Sequence, residues 1–358
     1  MSFALVGQWD DDADIDAIKQ PLPAKSQCVL FIPPSGCSRF MGIQLDGIAS
    51  KCRVSLVAVD RPGTGAVPSI PADQRMRAST NHVLSVIEAL QIHKVEILTH
   101  SAGWLYVLEL ISQRPTLASR VTFLSPFVPT HLSSSLLSWL PGSIVGLAPN
   151  AFDLLRSCEK PIGWSIATFQ RGIDTLVPHS ANESQNEAQQ AQKQKKRAEK
   201  REASMKRYPK AKFHPPYDTH HALLLEQGCR DATHPTTKRP VKSGMALLLD
   251  YFTEERGVHA ATQDFMFCLG KNPDLNSRQL ETWIQERLQQ LKESAPRVRL
   301  VWGTGDLLTP QKGRDHLLKM FQLAGIQVDE WVMAGGGHDD PLIAQNVMTA
   351  VLEELAVS

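Results

Sequence analysis

The sequence predicts an α/β fold: a mainly parallel sheet flanked by helices, with a mostly helical segment inserted late in the chain. Three observations carry this prediction. Short runs rich in Val, Ile, Leu and Phe recur at 28–32 (CVLFI), 54–59 (VSLVAV), 95–98 (VEIL), 121–124 (VTFL), 298–302 (VRLVW) and 328–334 (VDEWVMA). Most are apolar almost throughout, the pattern of parallel strands covered by helices on both faces. Helical patterns fall between them, and that alternation is the sequence form of a repeating strand-helix unit. The rhythm then breaks between about 131 and 294, where strand signals are few.

Each helix has a local reason. Val83, Leu84, Val86, Ile87 and Leu90 form an apolar stripe at helical spacing, which predicts a helix over 81–92. The next starts at Ala102 and stops near Pro115, which cannot continue it. A third covers Gln311–Leu323, with Thr309-Pro310 as its start. The last runs from Pro341 to Leu355, with Asp340 as N-cap and Pro341 at the first helical position. Helix-like segments at 132–140, 150–158, 240–254 and 277–291 lie in the interrupted region. The chain therefore divides into a discontinuous core, 1–130 and 295–358, and a helical cap, 131–294, over one end of the sheet.

A chain of 358 residues, 42% hydrophobic and 21% charged, can bury a large core without staples. A net charge of +1 gives no global reason to bind nucleic acid. The charge is uneven. Residues 193–212, at the end of a polar stretch from 181, hold ten Lys/Arg and two Glu, a net +8. The plain reading of 181–212 is a solvated helix or disordered insertion, and the functional reading is peripheral contact with anionic lipid. The basic window has one aromatic, Tyr208, for stacking, which speaks against nucleic acid. Six cysteines, at 28, 37, 52, 158, 229 and 268, form no CxxC pair and read as reduced thiols of a cytoplasmic protein. The acidic N-terminus resembles no targeting peptide, and no apolar run reaches the ~18 residues of a membrane span. No HExxH occurs, and Gly63 and Gly65 make only a G-x-G, so neither a metal nor a dinucleotide cofactor is expected.

Four loops follow strand-like runs, at the sheet edge where ligands gather in parallel α/β folds. In "THSAG", Ser101 stands on a strand-to-helix turn that would raise its hydroxyl above the sheet, and the N–H of Ala102 would point into the site. The usual turn is G-x-S-x-G, and Thr99 takes the place of its first glycine. In "VWGTGDLLTP", Asp306 follows a strand, and because Thr309-Pro310 can start the next helix, Asp306 is left to orient a histidine. In "VMAGGGHDDPL", His338 sits in a glycine-rich loop and is the side chain suited to proton transfer near neutral pH. In "FIPPSGCSRF", Ser35, with Gly36 beside it, can donate a second N–H to an oxyanion. Pro33 and Pro34 have no N–H and can only stiffen that loop.

The order Ser101, Asp306, His338 is that of the triad in the α/β-hydrolase fold. With "VDRPGTGAV" (59–67), similar to the D-x-P-G-x-G turn common in that family, the chain resembles an α/β-hydrolase with a helical cap. The resemblance covers roughly 28–130 and 295–350, with a faint echo at 261–269 (ATQDFMFCL). It implies a serine hydrolase acting on an ester or thioester through an acyl-enzyme. Ser101 would be nucleophile, His338 base, Asp306 its partner, and Ser35 and Ala102 oxyanion donors. The substrate would be a small ester or acyl compound, and no cofactor is implied. Epoxide hydrolases and dehalogenases would be expected to carry aspartate at 101. Many members have His-Gly where Pro33-Pro34 stands. That departure and Thr99 leave a second class open: a ligand-binding protein on the same fold that turns over slowly or not at all.

Overall fold

The computed structural model describes residues 2–7, 27–35, 37–129, 201–217, 275–306 and 308–356, with isolated positions at 195, 198, 199, 260, 263, 264, 267, 268, 271 and 272. Every apolar run named above forms a strand: β2 (Gln27–Ile32), β3 (Val54–Val59), β4 (Val95–His100), β5 (Ala118–Leu124), β6 (Arg297–Gly303) and β7 (Val328–Met333). They pair in parallel in the order β3-β2-β4-β5-β6-β7. An additional strand, β1 (Phe3–Gly7), pairs antiparallel on the outside of β3. The sequence reading does not find it, because four apolar residues at a chain end carry too little periodicity.

Helices cover both faces, which is why the strands are apolar on both sides. In β2, Leu30 and Ile32 face a core shared with α3 (Ala72–Ala89), α4 (Gly103–Gln113), α5 (Ser277–Ser294) and α6 (Gln311–Leu323). Val29 and Phe31 face the opposite core, shared with α1 (Phe40–Ile43), α2 (Asp46–Lys51), α7 (Asp340–Ile343) and α8 (Gln345–Ala356).

Several details differ from the sequence reading. Helix α3 begins well before 81, directly after Pro71, whose φ of −51° and ψ of 148° leave it outside the helix. The expected last helix breaks at Ala344, which is extended (φ −73°, ψ 119°), so α7 and α8 are separate. Asp340 is not the N-cap. That position is Asp339, whose side chain makes no capping bond, while Asp340 Oδ2 accepts a hydrogen bond from Gly337 N at 2.7 Å. Asp340 thus ties down the glycine-rich loop instead. Helix α5 lies in the stretch assigned to the cap, yet Leu280, Ile284, Leu288 and Leu291 are buried in the core that holds α4.

Of the basic window, residues 201–207 are helical, with Arg201, Lys206 and Arg207 exposed. The chain after this helix docks on β7. Phe213 N donates to Val332 O at 3.1 Å, and Ala334 N donates to Phe213 O at 2.9 Å. The Tyr217 hydroxyl lies 2.8 Å from Ala334 O, and Lys212 Nζ sits 3.0 Å from the centroid of the Trp331 ring. The expected helices at 132–140, 150–158 and 240–254 lie outside the described residues, as do Cys158 and Cys229. Cys28, Cys37, Cys52 and Cys268 are free thiols, and burial pushes the Cys28 pKa up to about 12. Among the described residues, no helix is long and apolar enough to cross a membrane.

Candidate active site

Strand β4 delivers Ser101 onto a sharp turn. Its φ is 51°, in the left-handed region that costs a side chain about 1–2 kcal/mol. The turn is held by Ser101 N, which donates to Leu124 O at 2.9 Å. Ala102 already has helical angles (φ −62°, ψ −19°), and α4 follows at once. Thr99, the residue in place of glycine, is fully buried, and its hydroxyl donates to Ile32 O on β2 at 2.9 Å. A Cβ built on Gly103 would stand 2.3 Å from Thr99 Oγ1 and 2.8 Å from Pro33 O. Thr99 therefore fits because Gly103 leaves it room, and the turn keeps its shape. Gly103→Ala is expected to lower stability by about 1–3 kcal/mol through overpacking, read as a lower urea midpoint with an unchanged slope.

Ser101, His338 and Asp306 meet in one hydrogen-bonded line. The Ser101 hydroxyl lies 2.8 Å from His338 Nε2, and His338 Nδ1 lies 2.9 Å from Asp306 Oδ2. The other Asp306 oxygen accepts from Leu308 N at 2.8 Å and Thr309 N at 2.9 Å, so this carboxylate also holds the turn before α6. Burial works against the Asp306 charge. The charge and hydrogen bond of His338, with the Thr309 and Leu308 amides, outweigh that cost and keep the carboxyl below its ordinary pKa. Burial also opposes a charged His338, and Asp306 outweighs it, holding His338 above the ordinary histidine value. An ionised carboxylate only accepts, so His338 Nδ1 carries the proton, and Nε2 is bare toward the serine hydroxyl.

The other predicted site residues are placed as follows. Ala102 opens α4, and among the described residues no group accepts from its N–H. The Ser35 hydroxyl lies 3.5 Å from Asp264 Oδ2, in the loop after β2. Gly36 lies outside the described residues.

Two features escaped the sequence reading. His100, beside the serine, donates from Nε2 to the carbonyl oxygen of His338 at 3.0 Å, with ring centroids 5.0 Å apart. Burial, reinforced by His338, pushes its pKa down to about 4, so it is a neutral prop under the His338 backbone. His100, His338 and Asp339 bring ligating atoms within 4.8 Å of one another, but both His338 nitrogens are engaged in the Ser101–Asp306 line. The second feature is a buried cluster of Arg61, Arg75, Tyr106 and Asp264 behind the Ser35 loop. Arg61 lies in the 59–67 turn and Asp264 in the 261–269 stretch that the sequence reading quotes, but neither segment marks its residue as a partner of the other.

No protein-family profile matches the chain, and no curated protein matches it. Solved structures do. An α/β hydrolase enzyme from a Medee basin deep-sea metagenome library aligns over 100% of this chain and 94% of its own, at 13% identity and TM-score 0.55. An epoxide hydrolase from Vigna radiata aligns over 98% and 92%, at 13% identity and TM-score 0.53. A thermophilic esterase from Thermogutta terrifontis aligns over 99% and 91%, at 13% identity and TM-score 0.50. Identities this low speak to architecture alone: the chain has the α/β-hydrolase fold.

Proposed function

We propose that the protein is a serine hydrolase that cleaves a carboxylic ester or thioester. The observation that carries this reading is the Ser101–His338–Asp306 line, at 2.8 and 2.9 Å. A serine hydroxyl is a weak nucleophile until a base takes its proton, and Nε2 of His338 lies within reach to do so. Ser101 Oγ attacks the carbonyl carbon as its proton passes to His338. The negative charge moves to the carbonyl oxygen, facing the N–H groups of Ala102 and Ser35 and the positive end of α4. The intermediate collapses, His338 returns the proton to the departing oxygen or sulfur, and the acyl group stays on Ser101. Water, deprotonated by the same histidine, then releases the acid. Asp306 keeps His338 in the tautomer these transfers need and stabilises its charged form.

A serine at 101 favours this chemistry over epoxide opening, which in this fold would be expected to use a carboxylate nucleophile. Thr99 supports it as well, since it is accommodated beside Gly103 with the serine turn intact. A fluorophosphonate probe tests the reading together with p-nitrophenyl esters of rising chain length. Labelling that maps to Ser101, with turnover of at least one ester, is the expected result. A folded protein that is neither labelled nor active overturns it in favour of a ligand-binding protein.

A further inference from the structure

We propose that Arg61, anchored by Asp264, is a positioning residue that aims the Ser35 N–H of the oxyanion loop by holding the Pro34 carbonyl. The inference deepens the hydrolytic reading above and rests on it.

The loop after β2 has a particular difficulty. Pro33 and Pro34 have no N–H, so neither can tie the loop down by donating. The Pro34 carbonyl must do that work. It accepts from Cys37 N at 3.2 Å and from Arg61 Nη2. Two donors on one oxygen limit rotation of the peptide plane that Pro34 shares with Ser35. That plane is rigid and trans, so the Ser35 N–H points opposite to the Pro34 oxygen. Fixing the oxygen therefore fixes the direction of the N–H. A guanidinium on the carbonyl also polarises the amide and strengthens its N–H as a donor. The start of the same loop lies against the serine turn, since Pro33 O would be 2.8 Å from a Cβ on Gly103.

Arg61 is itself held from both sides. Its carbonyl accepts from Thr64 N at 3.0 Å and Thr64 Oγ1 at 2.7 Å, which locks the turn after β3. In that turn, Gly63 has φ 85° and lies so close to the chain at Ala260 that an added Cβ would sit 3.0 Å from the Ala260 Cβ. The buried Arg61 side chain places Nη1 2.8 Å from Asp264 Oδ2. The other Asp264 oxygen accepts from Arg75 Nε at 2.8 Å and from the Tyr106 hydroxyl at 2.6 Å. Arg75 reaches further, to Gln263 Oε1 at 2.8 Å and Ala260 O at 3.3 Å. Two guanidinium groups thus meet one carboxylate from the inserted segment. Arg61 reaches from this cluster to the Pro34 carbonyl, Asp264 Oδ2 also lies 3.5 Å from the Ser35 hydroxyl, and Arg75 fastens the segment.

The test uses the full chain, a p-nitrophenyl ester that it turns over, and a trifluoromethyl ketone, whose adduct with serine carries an oxyanion. The double variant Arg61→Met with Asp264→Asn removes this ion pair as a unit, and the amide oxygen of the asparagine can still accept from Arg75 Nε and the Tyr106 hydroxyl. Its kcat should fall about 10²-fold, and its affinity for the ketone should fall by the same factor. KM should stay within about threefold. Arg61→Lys, which keeps a donor for the Pro34 oxygen, should recover most of the loss. A folded double variant with wild-type kcat and ketone affinity overturns the proposal, as does a loss of kcat that leaves ketone affinity unchanged. If thermal unfolding shows the double variant to be unfolded, Arg61→Met alone, which leaves Asp264 with Arg75 and Tyr106, carries the same readouts, with about a tenfold loss expected and wild-type values overturning. A wild-type protein that neither turns over esters nor binds the ketone brings down the hydrolytic reading and the inference with it. An active wild type with equally active variants brings down the positioning role alone.

Discussion

Ser101→Ala should lower kcat for a p-nitrophenyl ester on the order of 10⁶-fold and leave the fold intact. The large effect follows from the way the site is coupled. Without Oγ, the base at His338 has no nucleophile to activate, and the oxyanion donors have no covalent intermediate to hold. The small structural effect follows from the backbone. Alanine keeps the same Cβ at the same left-handed φ of 51°, so the turn keeps the conformation it already bears. The lost contact is one hydroxyl on His338 Nε2, worth about 1 kcal/mol. Ester turnover and thermal unfolding on one preparation check both halves. Activity within tenfold of the wild type would place the chemistry elsewhere.

Asp306→Asn should cost on the order of 10⁴-fold in kcat, by a different route. An asparagine amide can donate to His338 Nδ1, which draws the proton to Nε2. The ring then presents a donor to the serine hydroxyl and cannot take its proton. The pH profile should change as well. Hydrolysis needs neutral His338, so the wild-type rate rises as pH climbs through the His338 pKa, which Asp306 holds above the ordinary 6.5. Removing the carboxylate charge should shift that limb toward acid. Stability follows the same pair. The Asp306 contribution is lost as pH falls through its depressed pKa, and the His338 contribution is lost as pH rises through its raised one. Profiles of kcat/KM for both proteins, measured from acid to neutral pH, give the sign directly. An unmoved limb would mean that Asp306 does not set the basicity of His338.

Much of the core was legible in the sequence because its signals are local. VSLVAV and Gln311–Leu323 match β3 and α6 at both ends, since burial on two faces leaves a nearly continuous apolar run and a proline marks a helix start. The meeting of Ser101, Asp306 and His338 was readable for a related reason. Parallel strands end on one edge of the sheet, so loops far apart in sequence become neighbours without any recognition of one another. Other features gave no such signal. The ion pair between Arg61 and Asp264 joins distant residues whose partner choice depends on how the inserted segment lies on the core. His100 looks like any strand residue until the His338 backbone arrives over it. Asp340 stood where a helix cap belongs, but the amide of Gly337 offered its carboxylate a closer donor.

The seat of Phe213 on β7 has a consequence for the molecule's company. An outer strand with bare amides is a template on which a second chain can extend the sheet. Here that position, at the end of β7 nearest His338, is already taken by the protein's own chain, because Phe213 exchanges hydrogen bonds with Val332 and Ala334. Growth of the sheet from that end of β7 would first have to peel Phe213 and Tyr217 away from Ala334, four residues before His338. The same short stretch of chain therefore covers this end of the outer strand and borders the loop that carries His338.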